Sequence, residues 1–238
     1  MPGVNRITWD LRGEQTREIH LRTSPAYAPE IRVGPEGWRP APDGARVSLL
    51  VPPGSYNVKL IAGGQESSRP LIVKKDPNSG GSESEIQAQT TMLAQLRKDI
   101  DSAADMVNQI EMIRSQLDGT KALLVGGDAA TDIKTSAQAL DKKLTDIEDH
   151  FIQRRLTGAG QDTTRWPAQL ISKLAYLAGG LSSGDFAPTT QQREVQAKLE
   201  AEVVLQRKQL DETIGTDLAA FNRLLRDRGV QNIVGGTQ

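Results

Sequence analysis

The sequence predicts an α+β protein of two parts, a small Ig-like antiparallel β-sandwich over residues 1–76 and an antiparallel four-helix bundle over residues 83–238. Three observations predict this division. Ten of the 12 prolines lie at or before Pro77. In the first part apolar residues alternate with polar ones, as in a strand with one buried face. In the second part apolar residues recur at helical spacing, as in helices with one buried face.

The first part contains short alternating segments separated by turn sequences. Pro52-Pro53-Gly54-Ser55 and Gly63-Gly64 favour turns, because proline presets φ and glycine accepts a positive φ. Short strands between such turns are typical of a small β-sandwich. The polar, glycine-rich segment 77–82 indicates a linker. The residues expected to face the core of the sandwich are Ile7, Trp9, Leu11, Val47, Leu49, Val51, Tyr56, Val58, Leu60, Leu71 and Val73.

The second part predicts four helices. The first begins at Glu83 and continues to Leu117 without glycine or proline, and its apolar residues follow a heptad that is typical of helix-on-helix packing. Gly126-Gly127 separates it from the second helix, Trp166-Pro167 opens the third, and the fourth covers 190–228. Short connections favour antiparallel neighbours and therefore a bundle. The expected buried residues are Ile86, Leu93, Leu96, Ile100, Ala103, Val107, Ile110, Leu117, Ile133, Ala137, Leu140, Leu144, Ile147, Phe151, Leu170, Leu174, Leu177, Leu181, Val195, Leu199, Val203, Leu210, Ile214, Leu218, Phe221 and Leu225.

The composition argues against several classes of function. The 238 residues carry 29 basic and 30 acidic side chains, so the net charge of −1 gives no electrostatic reason to bind nucleic acid. There is no cysteine, and His20 and His150 are the only histidines, which disfavours thiolate or multi-histidine metal sites. No run is apolar enough to span a membrane, and the N-terminus lacks a signal-peptide pattern. We expect no cofactor, no metal, no nucleic acid and no membrane insertion.

No sequence pattern predicts a catalytic residue. P-loop, nucleophile-elbow, zinc-protease and EF-hand motifs are missing from the sequence. Asp146, Glu148, Asp149 and His150 cluster near the end of the second helix, and the i, i+4 spacing of Asp146 and His150 could let them share a cation or a proton. A solvated face is favoured for this group, because neighbouring apolar residues form the buried stripe. The sequence therefore predicts that the chain is not an enzyme.

Aromatic residues supply the candidates for ligand contact. Trp38, in a loop rich in glycine and proline, could stack on a sugar or a partner, or could cover the edge of the sandwich. Tyr27 is the second candidate. Trp166 is expected to staple the start of the third helix to its neighbours. The basic pair Arg154-Arg155 is expected to be exposed and solvated.

Several stretches of the chain resemble one protein family. Asn5-Arg6 with Trp9-Asp10-Leu11-Arg12, the Pro-Pro-Gly-x-Tyr sequence at 52–56, and the segment 71–77 occur in this order before the helical part. Within the helical part the segments that add to the likeness are 110–117, 174–177, 182–189 and 221–225. Together they resemble the C-terminal region of bacterial sortilin-like propeller proteins of the BNR/YVTN repeat type, which are often labelled glycosyl hydrolases.

The resemblance implies a non-catalytic accessory module, the C-terminal tail of an exported propeller protein, which stabilises or docks a β-propeller domain. It implies a periplasmic or extracellular location. Any glycosyl hydrolase activity would belong to the propeller, because the repeated propeller boxes are missing from this sequence. The alternative is a carbohydrate-binding or glycoside-hydrolase-associated module that uses Trp38 and Tyr27.

Overall fold

A computed structural model describes residues 3–4, 6–25, 27–124, 126, 128–158 and 160–236, apart from the side chain of Thr163. Helices make up 52% of the structure. They are α1 (Glu83–Leu123), α2 (Asp128–Phe151), α3 (Asp162–Arg165), α4 (Leu170–Leu181), α5 (Thr190–Glu212) and α6 (Ala219–Asp227), with a π-helical segment, Thr213–Leu218, between α5 and α6. The strands are β1 (His20–Leu21), β2 (Arg39–Pro40), β3 (Gly54–Ala62) and β4 (Gln65–Val73).

Capping boxes fix the starts of α1 and α5. At α1 the Ser82 side chain accepts a hydrogen bond from the Glu85 amide, and the Glu85 carboxylate accepts one from the Ser82 amide at 2.8 Å. Thr189 and Gln192 form the same reciprocal pair at α5. Each box satisfies amides that the first helical turn leaves without a partner. These local signals explain why both helices begin where their apolar periodicity begins.

The core lies between α1 and the helices packed around it. α1 contacts α2, α4 and α5, and α2 also contacts α6 and the π-helical segment. Every core residue expected on the first two helices is buried. On α5 the pattern holds less well, since Val195 is exposed and Leu199 is half-buried. The N-terminal part joins the same core through Ile19 and Leu21.

The β-sandwich predicted over residues 1–76 is wrong. The described strands form two separate antiparallel sheets of two strands each, β1 with β2 and β3 with β4. Ile7, in the first alternating segment, is 86% exposed, and the bridge between Arg12 and Leu50 is isolated. Alternation is a local pattern, whereas a sandwich needs strands that pair and two sheets that stack. The described residues supply too few paired strands for that.

Residues 17–23 lie along one face of α1, and only His20–Leu21 of this segment pairs as a strand, in the short β1–β2 sheet. Polar side chains on that face accept hydrogen bonds from backbone amides of the segment, so these amides need no strand partner. The bonds run from Arg17 N to Asp101 Oδ1 (2.7 Å), from His20 N to Asn108 Oδ1 (2.7 Å) and from Thr23 N to Glu111 Oε2 (2.8 Å). The spacing of the three acceptors along α1 matches turns of one helical face. Side chains of the helix therefore satisfy amides that a sandwich strand would pair with a neighbouring strand.

Candidate interaction surface

The β3–β4 hairpin is the longest β-structure that the described residues form. Its turn is Gly63-Gly64, with φ of +57° and +79°. Two successive positive φ values define a type I′ turn, which matches the twist of the flanking strands. The turn sets the register, from Ala62 opposite Gln65 to Gly54 opposite Val73. The two glycines of the turn thus determine the register of all nine residue pairs of the hairpin.

One face of the hairpin is mainly apolar and is uncovered along Val58 and Leu60. The opposite face also exposes Ile61 (67%) and Ile72 (66%), but these lie among polar residues. Because directly opposite residues share a face, the register places Tyr56 with Leu71 and Val58 beside Leu60 on the same side. Val58 is 48% exposed and Leu60 is 54% exposed, while Tyr56 and Leu71 are half-buried. This face, here called the hairpin face, consists of Tyr56, Val58, Leu60, Leu71 and Val73, with Arg69 among them.

Beyond its base, where Gly54 and Val73 line a pocket with Ile86 of α1, the hairpin stands apart from the helical body. In the described part of the chain, no Cα of β3 or β4 lies within 8 Å of a Cα of a helix or of another strand. A single two-stranded hairpin is marginally stable in water. Exposed apolar surface gathered on one face is typical of sites that bind another protein. The hairpin face is therefore the candidate functional site.

Charges are distributed unequally over the two faces of the hairpin. On the opposite face Lys59 Nζ lies 2.8 Å from Glu66 Oε2, so this pair is neutralised within the hairpin. Arg69 lies on the hairpin face opposite Val58, and among the described residues it forms no ion pair with a carboxylate. The hairpin face consequently presents one uncompensated cation amid apolar side chains.

The two aromatic candidates lie in different clusters. The Trp38 ring stacks on His20, with centroids 3.8 Å apart and an interplanar angle of 19°. One face of its indole is therefore occupied, and it lies beside the β1–β2 pair rather than over a sandwich edge. Tyr27 is 69% exposed, and the guanidinium of Arg155 lies 5.4 Å from its ring centroid. Among the described residues no ring contact joins Trp38 and Tyr27.

The basic pair expected to be solvated is engaged with other side chains. Arg155 also lies 4.5 Å from the Trp166 ring, a cation–π distance, so this arginine connects Tyr27 with Trp166. Arg154 Nε lies 2.6 Å from Asp149 Oδ1. Arg155 is exposed as expected, but both arginines contact other side chains, so the expectation that the pair is only solvated is wrong.

Asp146 and His150 do not act together. Asp146 Oδ2 lies 2.7 Å from Lys142 Nζ, whereas His150 Nδ1 lies 3.1 Å from Glu202 Oε1 on α5. Both side chains are exposed. The solvated face favoured for them is therefore observed, and each has a separate partner.

Glu148 departs from that solvated face and forms a buried ionic cluster. Its side chain is fully buried, and its Oε2 lies 2.7 Å from Arg114 Nη1 on α1. The same guanidinium contacts Glu111 Oε1 at 2.7 Å and Asp141 Oδ1 at 2.9 Å. Glu111 also holds Thr23, as described above. The cluster therefore ties α1, α2 and the N-terminal segment together.

Burial and the Glu111 carboxylate raise the pKa of Glu148 well above its usual value, while Arg114 and Arg154 oppose the shift. Burial alone would lower the pKa of Arg114, but Glu148, Glu111 and Asp141 together raise it, so the guanidinium stays charged. Three carboxylates surround Arg114, and Arg154 lies farther off, with its Nε 3.7 Å from Glu148 Oε2, so a proton on Glu148 relieves the repulsion between Glu148 and Glu111. Both Glu111 and Glu148 are buried, so a substrate does not reach them.

The sequence contains a signal for this cluster that the prediction missed. Glu148 follows Leu144 by four residues, which places it on the buried stripe of α2. A carboxylate at such a position needs a buried cation. Arg114, three residues after Glu111 on α1, is that cation.

A second apolar surface lies between α4 and α5. It is a cavity of about 690 Å³ lined by ten residues, among them Tyr176, Leu177, Val195 and Leu199. Its lining contains neither a carboxylate nor a histidine, and Lys173 is its only charged residue. It lacks the converging titratable groups that an acid–base site needs.

Searches for metal and membrane sites are negative in the described ranges. No three His, Asp or Glu side chains there are grouped so as to hold a metal ion. None of the described helices combines the length and the apolarity needed to cross a bilayer.

Comparisons of the chain with protein-family models, with curated proteins and with solved structures find no match. The likeness to sortilin-like proteins therefore depends on the sequence stretches quoted above.

Proposed function

We propose that the chain is a non-catalytic interaction module whose hairpin face docks a partner protein. In line with the sequence resemblance, the partner is the β-propeller domain of a sortilin-like protein, which the module stabilises or positions. Such a pairing would take place in the periplasm or outside the cell. The observation that carries the proposal is the hairpin face, where Val58 and Leu60 are about half exposed and no described helix or strand covers them.

The arrangement of charged groups supports a binding role over a catalytic one. The strongest perturbation of a carboxyl pKa falls on Glu148, which is closed off inside the helical body. There it contributes to packing between α1 and α2, away from solvent. The exposed surfaces, by contrast, bear apolar side chains and isolated ion pairs, which suit recognition of another surface.

Binding of a propeller by size-exclusion chromatography and calorimetry tests the proposal. We expect the full chain and a purified propeller domain of a sortilin-like protein to co-elute. Val58→Lys should abolish co-elution, because it places a second cation directly opposite Arg69 and buries it in the interface. Val204→Lys is the matched control, since Val204 is 64% exposed on α5, remote from the hairpin in sequence and fold. Equal binding by the Val58→Lys variant, or no binding by the wild type, would contradict the proposal.

Carbohydrate binding through Trp38 and Tyr27 has weaker support. Sugar rings stack on free aromatic faces, yet His20 covers one face of Trp38 and Arg155 lies over Tyr27. Glycan-array binding that disappears in Trp38→Ala would favour this alternative. Absence of binding to every polysaccharide tested would contradict it.

A further inference from the structure

The two outer edges of the hairpin differ in their capacity to form hydrogen bonds. In a type I′ turn the residues flanking the two glycines are joined by a hydrogen bond, so Ala62 and Gln65 form a hydrogen-bonded pair. Along an antiparallel ladder such pairs alternate with pairs whose amides and carbonyls point outward. Counting from Ala62, the outward-pointing residues are Ser55, Asn57, Lys59 and Ile61 on β3, and Glu66, Ser68, Pro70 and Ile72 on β4.

Pro70 closes the edge of β4. It lies opposite Asn57 in a pair whose backbone groups point outward, so its missing N–H costs the hairpin no hydrogen bond. The same missing N–H leaves a gap in the middle of the outer edge of β4. Proline on an edge strand is a common device against further strand pairing.

The edge of β3 is open. None of its four outward-pointing residues is proline, so each offers one N–H and one C=O. No other strand of the described chain lies alongside β3 beyond its pairing with β4. An added strand at this edge would extend the sheet and would continue the hairpin face next to Tyr56, Val58 and Leu60.

The charge on the hairpin face selects the kind of partner. Arg69 is the one charged residue on that face, and the face offers no carboxylate. A second copy of the chain packed there would bring a second arginine and no acid to pair with it. A partner with a glutamate or aspartate on its apolar side would pair with Arg69. An added strand lies two strand spacings, about 10 Å, from β4, a gap that extended arginine and glutamate side chains bridge across Val58.

Resting on the interaction role proposed above, we propose that the partner supplies an extended strand that pairs with the open edge of β3. The strand alternates apolar and polar residues and carries a carboxylate on its apolar side that reaches Arg69. Recognition by strand addition draws affinity from main-chain hydrogen bonds and specificity from alternate side chains.

Amide hydrogen exchange by NMR tests this geometry on the full chain. The probe is a synthetic nine-residue peptide of alternating valine and threonine, with one glutamate on the valine side. We expect it to slow exchange at the amides of Asn57, Lys59 and Ile61, and to leave Ser68 on the β4 edge unchanged. Protection of the β3 amides without peptide would show that the edge is already occupied, and would overturn the proposal. So would peptide binding without their protection, or no binding at millimolar peptide.

Three variants separate edge pairing from contact with the face. Asn57→Pro removes one outward N–H, whereas Asn57→Ala keeps it and Ser68→Pro alters the β4 edge. Loss of one interstrand hydrogen bond should weaken peptide binding by about tenfold in Asn57→Pro alone. Exchange at inward-pointing amides, such as that of Val58, reports whether the hairpin remains folded in each variant. Where a variant unfolds the hairpin, the proposal is judged on the exchange pattern of the wild type with the peptide. Equal affinities of Asn57→Pro and Asn57→Ala would overturn the proposal.

Charge reversal tests the role of Arg69. Arg69→Glu should weaken binding of the glutamate peptide and strengthen binding of a peptide with lysine in that place, each by about three- to tenfold. If Arg69→Glu binds the glutamate and lysine peptides with the same preference as the wild type, the proposed pairing of Arg69 with a carboxylate of the partner is wrong. Failure of the propeller to bind while the peptide protects β3 would contradict the propeller as partner. Propeller binding without protection of β3 would contradict strand addition alone.

Discussion

Replacement of Arg114 by methionine should destabilise the protein strongly. The Arg114 side chain is 10% exposed, and its guanidinium contacts Glu148, Glu111 and Asp141. Methionine preserves much of the volume but removes the cation that bridges the buried Glu111 and Glu148, and only Arg154, 3.7 Å from Glu148, remains near them. Breaking a buried ion pair in this way costs about 3–5 kcal/mol of unfolding free energy. Urea denaturation followed by far-UV circular dichroism at pH 8 measures the loss.

The loss in Arg114→Met should grow with pH. The pKa of Glu148 is already raised in the folded protein, and without Arg114 only the weaker attraction of Arg154 opposes that shift. Above the ordinary value of 4.5 the unfolded chain releases this proton while the folded chain retains it. Stability therefore falls as pH rises from about 4.5 through the folded pKa of Glu148. We expect a steeper fall in the variant than in the wild type.

The double variant Arg114→Met/Glu148→Leu supplies the control. It removes the cation together with the fully buried acid, so less uncompensated charge remains, and it should be more stable than Arg114→Met alone. Replacing a whole buried ion pair by apolar residues is often nearly neutral. A single variant within about 0.5 kcal/mol of the wild type at pH 8, or a loss independent of pH, would refute this account of the cluster.

Two further predictions concern α1. Burial raises the pKa of Asp99 to about 6, with Glu200 adding to the shift and the Gln95 amide opposing it. Ionisation of this carboxyl therefore lowers the free energy of unfolding as pH rises from about 4 to about 6. We expect Asp99→Asn to raise the free energy of unfolding by about 1–2 kcal/mol at pH 7 and to flatten its pH dependence in urea unfolding. Ser82→Ala should lose about 1 kcal/mol, because it removes the capping box, whereas Gln87→Ala, at an exposed position of the next turn, should not. Equal urea midpoints for the two variants would contradict the capping argument.

The helices could be predicted because their signals are local. The capping sequences at Ser82 and Thr189 and the apolar periodicity after them specify where α1 and α5 begin. The third predicted helix shows the limit of this reasoning. Pro167 is tolerated in a first turn, but α4 begins at Leu170, after Trp166 has taken an extended conformation. The contact of Trp166 with Arg155 lies outside any local pattern.

Contacts between distant segments could not be predicted in this way. The side chains that hold residues 17–23 on α1 lie more than 80 positions further along the chain, as the bond from Arg17 to Asp101 shows. No spacing rule links an extended segment to acceptors at that separation. The position of Glu148 on a buried stripe was readable from the sequence, but its partner Arg114 belongs to a different helix.

The hairpin shows how an incorrect expectation of burial locates the candidate site. Alternation of Tyr56, Val58 and Leu60 predicts a strand with one buried face, and β3 is that strand. Its face stays exposed because no second sheet lies over it: the other sheet of the described chain, β1 with β2, packs on α1. The alternating pattern of β3 suits a buried face, yet the described chain leaves that face uncovered. This combination supports the proposal that a partner strand covers it. The side chains that would form a sandwich core are thus the ones that define the proposed interface.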